Sequence, residues 1–273
     1  MRKTLLIRFL AALLAPAMLL MLSGCAAKPQ QAEVADDSLR KVLEKGELVL
    51  GLDASFPPMG FTDAAGDIVG FDIDVAQEVC DRLGIALVKQ PINWSEKEEM
   101  LNSGAIDCIW NGMSANASRA EAMNLTDPYM TNDMIFVVSG SSNIRSMNGL
   151  SGKVVGVQSG STAQELLEGS SLAADMTVTT LDDNVALLNQ LELGDLDAVF
   201  LDSVVAYYYI ASGDKELYIL PGGLAEEEYV IGFRKGDQAL RDRVQEIIYD
   251  MNADGKLGEI SNEWFGSDIT SLK

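Results

Sequence analysis

The sequence predicts an α/β protein of two similar lobes, each a mainly parallel sheet flanked by helices, with two strands crossing between them. A strand–helix–strand–helix–strand order occurs twice, the same punctuation ends each copy, and a further strand follows the second. Residues 48–52 read as an apolar strand, 72–83 as a helix, 86–90 as a strand, 95–101 as a helix and 106–110 as a strand. The order recurs at 154–157, 162–167, 177–180, 183–193 and 198–201. Gly104-Ala105-Ile106-Asp107-Cys108-Ile109-Trp110 is matched by Gly194-Asp195-Leu196-Asp197-Ala198-Val199-Phe200. Past Pro221-Gly222-Gly223, residues 229–233 read as another strand, followed by a helix over 238–251 and a shorter one before Trp264-Phe265-Gly266. This return completes the first lobe and makes the second of two hinge crossovers. The lobes are expected at 38–130 with 227–273, and at 131–226.

Composition narrows the function. The chain has 273 residues, 48% of them hydrophobic, enough for two modest lobes. Its net charge of -21 argues against a nucleic-acid partner. Histidine is absent, so no Ser-His-Asp triad, Cys-His dyad or histidine-ligated metal site can be built. No cofactor or metal is expected.

The first residues read as an export signal. Arg2 and Lys3 precede an apolar stretch over 9–22, about 14 residues, which is short for a membrane span. It ends in Leu22-Ser23-Gly24-Cys25, which resembles a bacterial lipobox and makes Cys25 the expected lipidation site. Residues 1–24 are thus the lipoprotein signal peptide and 25–37 a flexible, lipid-anchored tether. The other two cysteines, Cys80 and Cys108, lie in apolar runs and read as buried thiols, with a disulfide left open.

Ligands of parallel α/β sheets collect beyond the carboxyl ends of the strands. Asp53, Asn111 and Gly112 fall there in the first lobe, and Ser159, Gly160 and Asp202 in the second. Arg119 closes the run Met113-Ser114-Ala115-Asn116-Ala117-Ser118-Arg119. A guanidinium meets a carboxylate with two parallel bonds, and a facing carboxylate accepts from an ammonium, so Arg119 and Asp202 suit a free amino acid. Overlapping capping-box spacings, Ser161 to Gln164 and Thr162 to Glu165, start a helix whose free amides attract anions. Asp53, Phe56, Trp94 and Asn111 are the candidates for side-chain selectivity, with the aromatic pair able to sandwich a stem or face a cation. The blander alternatives are a surface ion pair for Arg119, capping acids for Asp53 and Asp202, core positions for Phe56 and Trp94, and a simple helix cap at Thr162.

In ordered combination these pieces resemble the extracytoplasmic solute-binding proteins of polar amino acid ABC transporters. The resemblance runs over 48–265 through Gly51-Leu52-Asp53-Ala54-Ser55-Phe56-Pro57-Pro58, Gly70-Phe71-Asp72-Ile73-Asp74, Leu101-Asn102-Ser103-Gly104 with Asp107, the stretch ending in Arg119, Thr126-Asp127-Pro128-Tyr129, Gly156-Val157-Gln158-Ser159-Gly160-Ser161-Thr162 and Asp202. It implies the type II periplasmic-binding-protein, or Venus flytrap, fold. It also implies a chain that closes on an L-amino acid and hands it to membrane permease subunits, Arg119 on the ligand carboxylate, Asp202 on its ammonium, and Ser114, Gly112 and Thr162 as further contacts. Where many members read Thr-Ile-Thr, this chain has Ser114-Ala115-Asn116; the hydroxyl is kept and a bulky aliphatic is lost. The expected protein is a monomer held by its lipid on the extracytoplasmic side of the cell membrane, binding a basic or polar amino acid, with cystine and glutamine as alternatives. A cyclohexadienyl-dehydratase-like enzyme, with a carboxylate such as Asp53 as base, and a sensory ectodomain are the other function classes.

Three further signals read as structural. Asp250-Met251-Asn252-Ala253-Asp254-Gly255 starts like a calcium loop, but its twelfth position is Ser261, so a helix-ending turn is expected. Ser151-Gly152-Lys153 lacks the flanking residues of a nucleotide-binding loop. Tyr207-Tyr208-Tyr209 is expected to pack a helix against its sheet.

Overall fold

The computed structural model describes residues 36–213 and 215–272. The expected signal peptide, Cys25 and the expected tether up to residue 35 lie outside the described residues.

The first lobe opens with helix α1 (Ser38–Lys45) and strand β1 (Glu47–Leu52). Three short strands, β2 (Ser55–Phe56), β3 (Gly60–Thr62) and β4 (Ile68–Val69), make a separate small sheet. Helix α2 (Phe71–Leu83), strand β5 (Ala86–Pro91), a 3-10 turn at Trp94–Glu96, helix α3 (Lys97–Ser103) and strand β6 (Cys108–Ser114) follow. Helix α4 (Ala117–Ala122) and strand β7 (Met123–Leu125) lead to β8 (Met130–Ser139), which crosses into the second lobe. That lobe contains β9 (Val154–Gln158), α5 (Thr162–Gly169), β10 (Thr177–Leu181), α6 (Asn184–Leu193), β11 (Ala198–Asp202) and α7 (Ser203–Ser212). Strand β12 (Leu217–Arg234) returns, and α8 (Gln238–Asp254) and α9 (Lys256–Phe265) pack on the first lobe.

β1 pairs in parallel with β5 and β6, and β9 with β10 and β11. The antiparallel crossing strands join these two groups into one path, β10-β9-β11-β8-β12-β6-β1-β5. The lobes are therefore hydrogen-bonded to each other through the β8–β12 ladder, which breaks register on both sides of Gly223. Alternation explains how both faces are filled. Leu48, Leu50 and Leu52 face one core, and Val49 packs with Ile106 and Ile109 on the other. In the second lobe Val199 and Leu201 point one way and Ala198 and Phe200 the other. Burial on both faces is what a parallel sheet under helices requires.

The repeated punctuation has the same job in both lobes. Gly104 and Gly194 end α3 and α6 in the left-handed region, at φ +80° and +81°. Three residues on, Asp107 accepts the Val49 amide and Asp197 the Val154 amide, both at 2.9 Å. Each aspartate also meets a lysine, Lys45 at 2.8 Å and Lys153 at 3.1 Å.

Several expectations change. The helix expected at 95–101 divides into the 3-10 turn and α3, because the Asn93 side chain accepts the Ser95 amide at 3.0 Å and tightens the first turn. The strand expected to stop at residue 110 runs to Ser114, since pairing with β12 carries it past Asn111 and Gly112. Of the tyrosines, Tyr209 packs against the core beside Val204, Val205 and Ala206, while Tyr207 is exposed and Tyr208 meets Phe61 edge-on at 5.5 Å. Cys80 and Cys108 are fully buried free thiols. Residues 250–255 are the end of α8 and its Gly255 cap, and among the described residues no acidic or cysteine cluster is arranged to hold a metal.

Candidate functional site

Arg119 sits on α4, a short helix that starts where it does because Asn116 caps it, its side-chain oxygen accepting the Arg119 amide at 2.8 Å. The guanidinium is buried, 3% exposed. It donates to the Ser114 carbonyl at 2.7 Å and to the Gly160 carbonyl of the second lobe at 3.4 Å. Those bonds fix its plane and leave the rest of its fork for the cleft. Burial pulls its pKa down, opposed by the nearby acids Glu165, Glu227 and Asp202.

Asp202 is the last residue of β11, also buried. Its Oδ1 accepts from the Asn132 amide group at 2.9 Å and the Tyr229 hydroxyl at 2.7 Å. Asn132 and Tyr229 belong to the two crossing strands, so the hinge itself orients this carboxylate. Burial, reinforced by Glu227, raises its pKa to about 7.

Arg119 and Asp202 line one narrow cleft. The first lobe also contributes Asp53, Phe56, Trp94, Asn111, Gly112 and Ser114 to its walls, and the second lobe Thr162. Two expected residues lie outside the lining. Ser159 donates its amide to Leu181 in its own lobe, and Gly160 holds φ +69° with its carbonyl turned to Arg119 and Lys97. Gln158 and Ser161, on either side of that turn, line the cleft instead.

At the far end Asp53 receives the Ser55 amide at 2.9 Å and, across the cleft, the Gln158 side chain at 2.7 Å. Its own amide donates to the Asn111 side-chain oxygen at 3.1 Å. Burial raises Asp53 to about 6. Gly112 holds φ +55°, and a Cβ there would come within 2.8 Å of the Phe56 ring. Its amide is pinned at 2.6 Å by Asp72, a fully buried carboxylate that also accepts from the Tyr129 hydroxyl at 2.8 Å.

Two residues outside the sequence-based set shape the site. Lys97 is 5% exposed, and its ammonium donates to the Gly160 carbonyl at 2.8 Å, bridging the lobes. Burial and the neighbouring Arg119 lower it to about 8. Glu227, on β12, accepts the Ser114 hydroxyl at 2.5 Å and the Thr162 hydroxyl at 3.0 Å. With Asn116 donating to Glu165 at 2.9 Å, the lobes meet across the cleft through side chains of both. The chemistry on offer is a forked cation against several acids in a cleft walled partly by aromatic rings.

Residues 48–267 match the model of the bacterial extracellular solute-binding proteins, family 3. The chain belongs to this family. It is 29% identical over 234 residues to the L-cystine-binding protein TcyJ of Escherichia coli K12, covering 85% of this chain and 87% of that one. It is also 29% identical over 225 residues to the arginine-binding extracellular protein ArtP of Bacillus subtilis 168, covering 81% and 87%. Among solved family folds, an ABC uptake transporter substrate-binding protein from Streptococcus pneumoniae with bound histidine superposes with a TM-score of 0.84 at 32% identity, covering 87% of this chain and 99% of that one. All three are named as binding proteins.

Proposed function

We propose that this chain is the substrate-binding component of an amino acid ABC importer, a binding protein rather than an enzyme, which captures a basic or polar L-amino acid between its lobes and delivers it to membrane permease subunits. The observation that carries the reading is Arg119 and Asp202 lining one buried cleft from opposite lobes. Arg119 takes the ligand carboxylate and Asp202 its ammonium, with Ser114, Gly112 and Thr162 beside them. Phe56 and Trp94 flank the side chain, and Asp53 with Asn111 reads its far end. Excess acid in the cleft favours a cationic ligand and repels an acidic one. Lobe limits at 38–130 with 227–273, and 131–226, place both hinge strands at the boundaries.

In this reading Cys25 carries the lipid, residues 25–37 tether the body, and the protein works as a monomer on the extracytoplasmic face of the membrane. The test is a melting screen of the soluble body against the twenty amino acids, ornithine, citrulline and cystine. A ligand at a hundredfold excess over its Kd stabilises by about 2.7 kcal/mol. A basic or polar amino acid raises Tm; no shift with any member of the panel contradicts the proposal.

A further inference from the structure

Glu227 stands in the middle of the acidic run Glu226-Glu227-Glu228, yet it is buried where its neighbours are exposed. The cause is strand parity: Glu227 and the fully buried Tyr229 share one face of β12, opposite Asn132 on β8. On that face its Oε2 receives two hydroxyls, Ser114 from the first lobe and Thr162 from the second. Each hydroxyl has one proton. The Thr162 hydroxyl also lies 3.4 Å from the Ser114 oxygen, a longer contact than its 3.0 Å to Glu227; with both protons given to Glu227, Ser114 and Thr162 turn only lone pairs toward the cleft, where a ligand carboxylate needs donors.

We propose that Glu227 is a positioning residue of the head-group subsite: as a carboxylate it holds the Ser114 and Thr162 hydroxyls, and it takes up a proton when a ligand carboxylate claims them. The proton comes from solvent and sits on Oε2. The Glu227 hydroxyl then donates to one of the two oxygens, and the hydroxyl protons turn to the ligand, where Arg119 supplies the countercharge. The charged groups that act on Glu227 are Arg119 on α4, which favours its ionised form, and Glu165 on α5 and Asp202 at the end of β11, which oppose it. Tyr229 on its own strand faces it as a neutral hydroxyl. Burial raises the Glu227 pKa and leaves it open to such a change. The proposal rests on the amino acid site argued above and adds a proton to its chemistry.

The test compares wild type with Glu227→Gln by calorimetric titration with L-arginine, L-histidine and L-cystine between pH 7 and 8.5, in buffers of different ionisation enthalpy. At pH 8 Asp202, at about 7, is already ionised and adds little. Lys97, at about 8, titrates in the same window in both proteins, so Glu227 is read from the difference. Wild type should take up close to one proton per ligand more than the glutamine variant, and its Kd should rise about tenfold more per pH unit. A flat wild-type profile without proton uptake overturns the proposal whether or not the variant folds. So does a variant that keeps the wild-type slope and uptake, while the amino acid reading survives both. Wild type that binds none of these ligands, nor any other amino acid of the screen, overturns both readings together.

Discussion

At Arg119 the division of labour in the cleft can be read one residue at a time. Its two bonds to main-chain carbonyls are ones that a lysine, with a single point of charge, cannot reproduce while gripping a carboxylate. Arg119→Lys should weaken every amino acid ligand together, by roughly 10- to 100-fold, the scale of a lost charge-assisted pair. Asp53→Asn should instead reorder the ligands, because Asp53 faces the far end of the cleft; titrating both variants with the same panel separates the roles. Asp202 gives a pH dependence of known sign. Its pKa is raised from 3.8 to about 7, so the stability it contributes to the empty protein is full below 3.8 and lost as pH rises through 7. A ligand ammonium selects the ionised form. The Asp202 contribution to affinity therefore grows as pH rises through about 7, and Asp202→Asn should lack that rise when Kd is measured from pH 5 to 7. Strand-end logic was enough to put Asp53 and Asp202 on the cleft, because the corner beyond a parallel strand is set by local pattern; Asn111 and Gly112 line it from within a strand that runs on to Ser114, and Ser159 and Gly160, named by the same logic, fall outside the lining. Glu227 was not legible, since a run of three acids reads as a solvated surface unless its parity with Tyr229 is followed.

At the level of elements, capping decides where the binding groups point. Asn116 starts α4 and holds the Arg119 amide, and its other side-chain atom reaches Glu165 of the opposite lobe. Asn116→Ala should lower stability by about 1 kcal/mol through the lost cap, read as a drop in Tm without ligand. The departure Ser114-Ala115-Asn116 is thus a working segment: the hydroxyl reaches Glu227, Ala115 packs against the small core that holds Ile109 and Met113, and the asparagine caps. The sequence order of the strands and helices in both lobes was legible because the glycines ending α3 and α6 and the aspartates after them recur at equal spacing. Strand β8, helix α1 and the small β2–β4 sheet were not. β2 and β4 are two-residue strands with too few residues to show a period, and β8 mixes exposed and buried stretches along one strand.

For the whole molecule, the decisive feature is that β8 and β12 carry both the hinge and part of the site. Tyr229 and Asn132 hold Asp202, Glu227 holds two hydroxyls, and these three holding residues ride on the strands whose pairing links the lobes. Rearrangement of the crossing strands would alter the cleft, and occupation of the cleft bears on them in turn. The return of the chain was visible in the sequence, but the joining of the two sheets was not, because it depends on pairing residues about 80 apart, such as Val137 with Ile219. The lobes also touch through Lys97 on the Gly160 carbonyl and Gln158 on Asp53, so an enclosed ligand adds to contacts already present. The most direct measurement is the melting temperature of the soluble body with and without saturating basic and polar amino acids, run beside Arg119→Lys and Asp202→Asn. A rise of roughly 5–10 °C with one such ligand, abolished or strongly reduced in both variants, is the predicted result. An equal rise in wild type and both variants, or no rise with any amino acid, would contradict the assignment of the cleft.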